Sequence, residues 1–314
     1  MRGTNGMAGS TGDPIAALMQ GLSLEVTVPR RDELAALHGL LPADTRVYLS
    51  AVPGQLPERL VEAASAVRAA RFRPVPHIAA RRYASVPALA DTLARLAGEA
   101  GLREVLVIGG DQPTADGPFA DALDVIASGL LQASGIAEIG IAAYPDGHPR
   151  IAAATLDEAL TSKLAAARRG GLTPQIVTQF CFDPARIIAF LQQLRAAGID
   201  TPLRVGLAGP ASVTTLLRYA GRCGVAVSAR GLSRNPGLIR GLLSEATPGA
   251  ILAAVAAAGD GGTLGSIAPH LFSFGGAVAT ARWAQAIPAG AETEPARARV
   301  PDRDKPAAGV VSNR

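Results

Sequence analysis

Residues 175–207, QIVTQFCFDPARIIAFLQQLRAAGIDTPLRVGL, contain the unit from which the fold is read. Ile176 and Val177 lie in a short apolar run with strand character at 175–180. Asp183-Pro184 then supplies a capping carboxylate and an early proline, and Ile187, Ile188, Leu191 and Leu194 recur on one helical face. Gly198 stops the helix before a second apolar run at 204–207. Strand, helix and strand in so short a span make a βαβ unit, whose strands pair in parallel.

The same alternation continues in both directions. Further strands are expected at 22–28, 46–50, 73–78, 104–109, 138–143 and 270–274, with helical patterns between successive members. One such helix opens at Ser85-Val86-Pro87, carries Leu89, Leu93 and Leu96 at helical spacing, and stops at Gly98 and Gly101. Eight strands in about 270 residues select a single (β/α)8 TIM barrel over a doubly wound sheet. Where a Rossmann unit would carry G-x-G-x-x-G after its first strand, this chain reads Val28-Pro29-Arg30-Arg31. The fold class is therefore α/β, with one barrel over residues 21–288 and an extra helical segment at 236–258 before the last strand. Residues 1–20, rich at their start in Gly, Ser and Thr, read as a flexible lead-in, and residues 289–314 as a disordered tail.

Composition sets outer limits on function. Of the 314 residues 48% are hydrophobic and 18% charged, which is the balance of a globular chain with a large core. Cys181 and Cys223 are the only cysteines and lack C-x-x-C spacing, so neither a disulfide framework nor a metal site is expected, and a cytoplasmic setting fits. The net charge of +4 comes from scattered arginines and not from a basic stripe, so no nucleic acid partner is implied. Apolar runs such as 105–108 and 139–143 fall far short of the roughly 20 residues of a membrane span, and no cationic head followed by an apolar stretch marks a secretory signal.

In a barrel of this kind the chemistry lies at the C-terminal ends of the strands, which leaves few polar candidates. Glu25 stands inside the first strand between Leu24 and Val26, where it either faces the pocket or is a partly exposed strand residue. His77 ends the third strand after Pro76. Asp111 follows Gly109-Gly110, whose small size allows close backbone approach to a ligand, and precedes Gln112-Pro113; the competing reading is an Asx turn. Tyr144-Pro145-Asp146-Gly147-His148-Pro149 puts a phenol and an imidazole on one stiff loop. Gln179 closes the sixth strand with an amide that both donates and accepts. Cys181, between Phe180 and Phe182, reads as a buried thiol and not as a nucleophile.

Four segments, taken in order and spacing, resemble the motifs of the methylenetetrahydrofolate reductase family: Leu22-Ser23-Leu24-Glu25-Val26-Thr27-Val28-Pro29-Arg30, Gly110-Asp111-Gln112-Pro113, Ala142-Ala143-Tyr144-Pro145-Asp146-Gly147-His148-Pro149, and Thr178-Gln179-Phe180-Cys181-Phe182-Asp183. The resemblance spans nearly the whole barrel and implies a flavoprotein that binds FAD at the strand C-termini. It implies hydride transfer from NADH or NADPH, through the flavin, to 5,10-methylenetetrahydrofolate, giving 5-methyltetrahydrofolate. On this resemblance Glu25 is the general acid that protonates the folate ring nitrogen and opens the five-membered ring to an iminium. A carboxyl in that role needs a raised pKa, which desolvation in an apolar strand is expected to supply. The resemblance makes Asp111 the aspartate near flavin and pterin, Gln179 a contact to folate and nicotinamide, and His77, Gly110, Tyr144, His148 and Lys163 cofactor-binding positions, Lys163 by way of the diphosphate.

The departures also matter. Gly109 stands where relatives often carry arginine, so one cationic contact to FAD is missing and weaker FAD affinity is expected. The seventh strand is followed by Ala208-Gly209-Pro210, and the last strand ends Phe272-Ser273-Phe274-Gly275-Gly276 in place of an Asn-Arg ending. The alternatives are a divergent folate-linked flavoenzyme of one-carbon catabolism and a folate-binding barrel that has lost FAD. The sequence leaves the choice of nucleotide and the oligomeric state open, a homo-oligomer included.

Overall fold

The computed structural model describes residues 13–52, 54–225, 245–259 and 262–287. Eight parallel strands close into a barrel in the spatial order β1-β10-β7-β6-β5-β4-β3-β2. They are β1 (Ser23–Val26), β2 (Arg46–Leu49), β3 (Arg73–Ala79), β4 (Glu104–Ile108), β5 (Glu138–Ala143), β6 (Thr173–Thr178), β7 (Leu203–Ala208) and β10 (Ile267–Phe272). Two short strands, β8 (Ala211–Ser212) and β9 (Glu245–Ala246), pair antiparallel beside the barrel. Helices α2 (Arg31–His38), α3 (Pro57–Ala69), α4 (Val86–Ala100), α5 (Ala122–Ala127), α6 (Leu130–Ala133), α7 (Ala153–Arg169), α8 (Pro184–Ala196), α9 (Val213–Cys223), α10 (Gly249–Gly259) and α11 (Ala277–Ala286) follow the strands. The expected single TIM barrel is the fold found. Among the described residues no helix is long and apolar enough to cross a membrane.

The helix boundaries follow from side-chain chemistry. Ser85 accepts the Ala88 amide at 3.3 Å to open α4, and Gly101 ends it at φ +61°, a conformation that favours glycine. Asp183 opens α8 by accepting the Ala185 amide at 3.0 Å. The same device acts where the sequence suggested a flexible lead-in. Asp13 accepts the Ile15 amide at 3.0 Å and Pro14 occupies the first turn, so α1 (Pro14–Met19) forms and packs against α10 and β10. The expected helical segment at 236–258 falls partly outside the described residues; among those described, α10 overlaps it, and the expected tail lies outside them. The sixth strand begins two residues before the expected 175–180, because Thr173 pairs with Glu138 and the ladder with β5 ends at Thr178 and Ala143.

Alternation along the strands sorts the barrel into layers. Residues facing outward, such as Leu24, Val47, Val105, Ile139, Ile141, Ile176 and Leu207, pack against helix residues such as Leu89, Leu93, Leu164, Ile187 and Leu191 in the main core. Inward positions change character along each strand: Arg46, Tyr48, Ser50; Arg73, Val75, His77; Glu104, Leu106, Ile108; Gln175, Val177, Gln179. The first member of each set forms a charged floor, and Tyr48, Val75, Leu106 and Val177 form an apolar middle layer. The third members meet the mouth. At the floor, Arg46 Nε donates to Glu104 Oε2 at 2.8 Å, Arg73 Nε lies 3.1 Å from the same oxygen, and both arginines also bind Glu138. Gln175 joins Glu104 to Arg204, whose Nη1 donates to the Gly21 carbonyl at 2.8 Å and so ties in the chain after α1.

Candidate active site

Glu25 is the centre of a buried polar cluster at the strand C-termini. Its side chain is 11% exposed, and its Oε1 accepts the Ser50 hydroxyl at 2.6 Å. Oε2 lies 3.1 Å from His270 Nε2 and 3.4 Å from His77 Nε2. The strands force this meeting. Ser23 pairs with His270 and Glu25 with Phe272, so Ser23 and Glu25, two residues apart on β1, share the inner face with His270 on β10. His270 is fully buried, its Nδ1 sits 2.9 Å from Ser23 Oγ, and the Tyr48 ring meets the imidazole edge-on at 4.5 Å.

The expected raised pKa of Glu25 is not what this environment produces. Burial alone pushes the carboxyl upward, but the His77 and His270 imidazoles facing it hold it well below the ordinary carboxylate range. His270 itself is pushed down, first by burial, although Glu25 opposes the shift.

Gly110, Asp111, Tyr144, His148 and Gln179 follow β4, β5 and β6 directly and so stand at the same end of the barrel. Gly110 adopts φ +100°, and a Cβ there would touch Ala79 and Arg81, whereas a Cβ on Gly109 would meet nothing within 4 Å. Asp111 is exposed on the loop after β4. The Tyr144 phenol is pushed up by burial and then by the Asp111 charge. Cys223, at the end of α9, is pushed up by burial and then by the Glu25 and Asp111 charges.

Tyr144 and His148 pack edge to face, with ring centroids 5.4 Å apart. The Arg150 amide donates to His148 Nδ1 at 3.2 Å, which puts the neutral ring's proton on Nε2 and leaves that N–H as a donor. Burial and the Arg150 charge keep the imidazole below its ordinary pKa. Asp146 anchors this loop: one oxygen lies 3.3 Å from Arg186 Nη1 on α8, and the carboxylate also bonds the Cys181 thiol. The thiol is driven far up by burial and by Asp146, so it is inert, as its apolar setting implied.

Two expected residues are less engaged with the cluster. The Gln179 Oε1 accepts from the neighbouring Phe180 amide at 3.1 Å. Lys163, on α7, is pushed down by burial while the Asp121 charge, at the start of α5, opposes that shift. His77, read as a cofactor contact, turns its Nε2 to Glu25. Sequence reasoning missed His270, Ser23 and Ser50. The available signal was an imidazole in the otherwise apolar run Ile267-Ala268-Pro269-His270-Leu271-Phe272. It also missed an aromatic wall beside the mouth, where Tyr219 stacks on Phe274 at 4.1 Å and Phe180 meets Phe272 and Phe274 edge-on.

The sequence profile of the methylenetetrahydrofolate reductase family matches residues 50–235, more than half of the chain. The chain belongs to this family. Among curated relatives, the 5,10-methylenetetrahydrofolate reductase of Pectobacterium carotovorum subsp. carotovorum is 31% identical over 124 residues, which cover 39% of this chain and 39% of that protein. The enzyme of the same name from Salmonella typhimurium is 32% identical over 118 residues, 37% of this chain and 38% of that one. Methylenetetrahydrofolate reductase (NADH) 1 of Arabidopsis thaliana is 29% identical over 135 residues and is covered over 23% of its length. These matches thus span well under two thirds of the relatives. Among solved structures, a Clostridium thermocellum protein that binds two copies of 5-methyl-5,6,7,8-tetrahydrofolic acid shares the fold, with a TM-score of 0.56 and 10% identity over 88% of this chain and 99% of that one.

Proposed function

We propose that the protein reduces 5,10-methylenetetrahydrofolate to 5-methyltetrahydrofolate, with FAD as bound cofactor and NADH or NADPH as reductant. One observation carries this reading: the family's motif residues Glu25, near the end of β1, and Asp111, on the loop after β4, lie towards the strand C-termini of one closed barrel, and Glu25 has hydrogen-bond partners on both carboxylate oxygens. When bound, FAD supplies the relay of hydride between nucleotide and folate.

The residues present suit such a cofactor. Gly110, held at φ +100°, keeps the loop after β4 free of a side chain at its turn. His148 offers an N–H and Tyr144 a buried phenol, on a loop that Asp146 holds against α8, and Lys163 of α7 offers a cation for a diphosphate. Asp111 orients the folate and Gln179 reads its polar edge; Glu25, which the two imidazoles hold as a carboxylate in the free site, takes up a proton from solvent and then gives it to the ring nitrogen that leaves the bridging carbon.

The test is a spectrum taken in three steps. Purified protein is expected to show flavin absorbance, to lose it on addition of NADH or NADPH, and to regain it with 5,10-methylenetetrahydrofolate. A colourless protein that binds 5-methyltetrahydrofolate and takes up no added FAD would replace this reading with that of a folate-binding barrel. A flavin reduced by the nucleotide yet indifferent to the folate would refute the substrate.

A further inference from the structure

We propose that His270, backed by Ser23, is the positioning residue that lets Glu25 gain and lose a proton in place, with one tautomer of a buried imidazole matching each state of the carboxyl. The proposal rests on the reading of Glu25 as the acid.

A neutral imidazole carries one N–H and one lone pair, so its two nitrogens have opposite roles. With Glu25 ionised, His270 Nε2–H donates to Oε2 across 3.1 Å, and Nδ1 accepts the Ser23 hydroxyl across 2.9 Å. With Glu25 protonated, its O–H donates to Nε2 and the ring proton sits on Nδ1, donating to Ser23 Oγ. The Ser23 hydroxyl then turns to the Pro269 carbonyl, 3.4 Å away. Each polar atom of the set has a partner in both states, which matters because Ser23 and His270 are fully buried and an orphaned polar group there is destabilising. Ser50 has the same freedom at the other oxygen, with Glu25 Oε1 at 2.6 Å and the Val26 carbonyl at 3.3 Å.

The two states differ by one proton. Water supplies it, donation to the substrate nitrogen returns Glu25 to the carboxylate, and no other reactant is consumed. The imidazolium–carboxylate pair has the same composition as the protonated state, with the shared proton on Nε2. The surroundings disfavour a lasting imidazolium. Burial, Arg204 of β7 and His77 of β3 push the ring down, against Glu25 of β1, while the uncharged Tyr48 of β2 and Phe272 of β10 complete its packing. The ring therefore works as a neutral group that exchanges donor for acceptor.

Nuclear magnetic resonance of the whole protein, with 15N-labelled histidine and 13C-labelled glutamate, tests the coupling without any ligand. On acidification the Glu25 carboxyl and the His270 ring nitrogens are expected to change at one midpoint, with the protonated position passing from Nε2 to Nδ1. A ring that keeps one tautomer throughout the Glu25 titration overturns the proposal.

Rapid mixing of the flavin-loaded protein adds the functional arm. His270→Phe is expected to slow flavin reoxidation by the folate by more than about tenfold while flavin reduction by the nucleotide stays within about twofold. His270→Gln, whose amide can present a donor or an acceptor, should recover part of the loss. Equal slowing of both halves would make His270 merely structural. Should the wild-type protein fail to turn over the folate, the functional reading falls, and the resonance titration still decides the coupling.

Discussion

At the floor of the barrel Glu104 is fully buried and meets Arg46, Arg73 and Gln175 at once; at the mouth Glu25 is nearly as buried and meets two imidazoles and a serine. The two carboxylates point into one barrel from opposite ends of the strands, and their partners set their chemistry. Guanidinium groups carry a permanent charge and only donate, so Glu104 can only accept from them, in a network with Glu138 and Arg204. Imidazole and hydroxyl groups donate or accept according to their protons, so Glu25 can change state while Ser50 and His270 each keep a partner. Permanent partners close the floor, and exchangeable ones equip the mouth.

The largest expected effect is at the mouth. Flavin reduction by a nucleotide needs no proton donor to folate, whereas opening the folate ring does. Glu25→Gln should therefore leave the nucleotide half-reaction intact and reduce folate-dependent reoxidation by about 10²–10⁴-fold, the loss typical of a missing general acid. Rapid-mixing absorbance at the flavin band measures both halves. If both slow alike, Glu25 is a structural residue like Glu104, and the contrast between mouth and floor collapses.

The floor should answer in stability and not in rate. Glu104→Gln leaves Arg46 and Arg73 short of an anion, and removing one member of a buried ion pair costs about 3–5 kcal/mol. The two arginines are 27% and 31% exposed, so the effect belongs at the lower end of that range. Chemical denaturation monitored by circular dichroism reads it, with turnover per folded molecule unchanged. A variant as stable as the parent would show that the floor charges are not coupled.

Much of this layout was legible in the sequence. Eight strand positions and several of the helix caps come from local signals, short apolar runs, capping side chains and glycine stops, and the motif residues were picked out by their places at strand ends and by the family resemblance. The floor was not recognised, because Arg46, Arg73, Glu104, Glu138 and Arg204 look like scattered charges until strand register stacks their starting positions in one layer. His270 was passed over for a similar reason. Its partner Ser23 is 247 residues away in sequence, and only barrel closure between β1 and β10 joins them. The pKa of Glu25 was misjudged too, since desolvation was visible from the apolar strand, whereas the meeting of His77 and His270 with its carboxyl depends on strand register and barrel closure.

The smallest expected effect concerns Gly109, where the family resemblance led to the expectation of a cationic contact. A Cβ built on it would meet nothing within 4 Å, so a side chain can be added without displacing packed atoms. The neighbouring Arg81 does not serve as the substitute. Its Nη1 donates to the Gln112 carbonyl at 2.8 Å and its Nε to the Ala120 carbonyl at 2.7 Å, so it is committed to holding the loop that carries Gly110 and Asp111. Gly109→Arg should then leave thermal stability within about 0.5 kcal/mol, as for an exposed substitution away from special features, and slow FAD release several-fold through a charge-assisted contact. Fluorescence of released flavin measures retention, and repetition at raised salt checks its electrostatic origin, because a half-exposed contact weakens with screening. Faster FAD release in a variant as stable as its parent would mean that the open space beside Gly109 belongs to the ligand itself, and that the mouth gains by a missing side chain and not by an added charge.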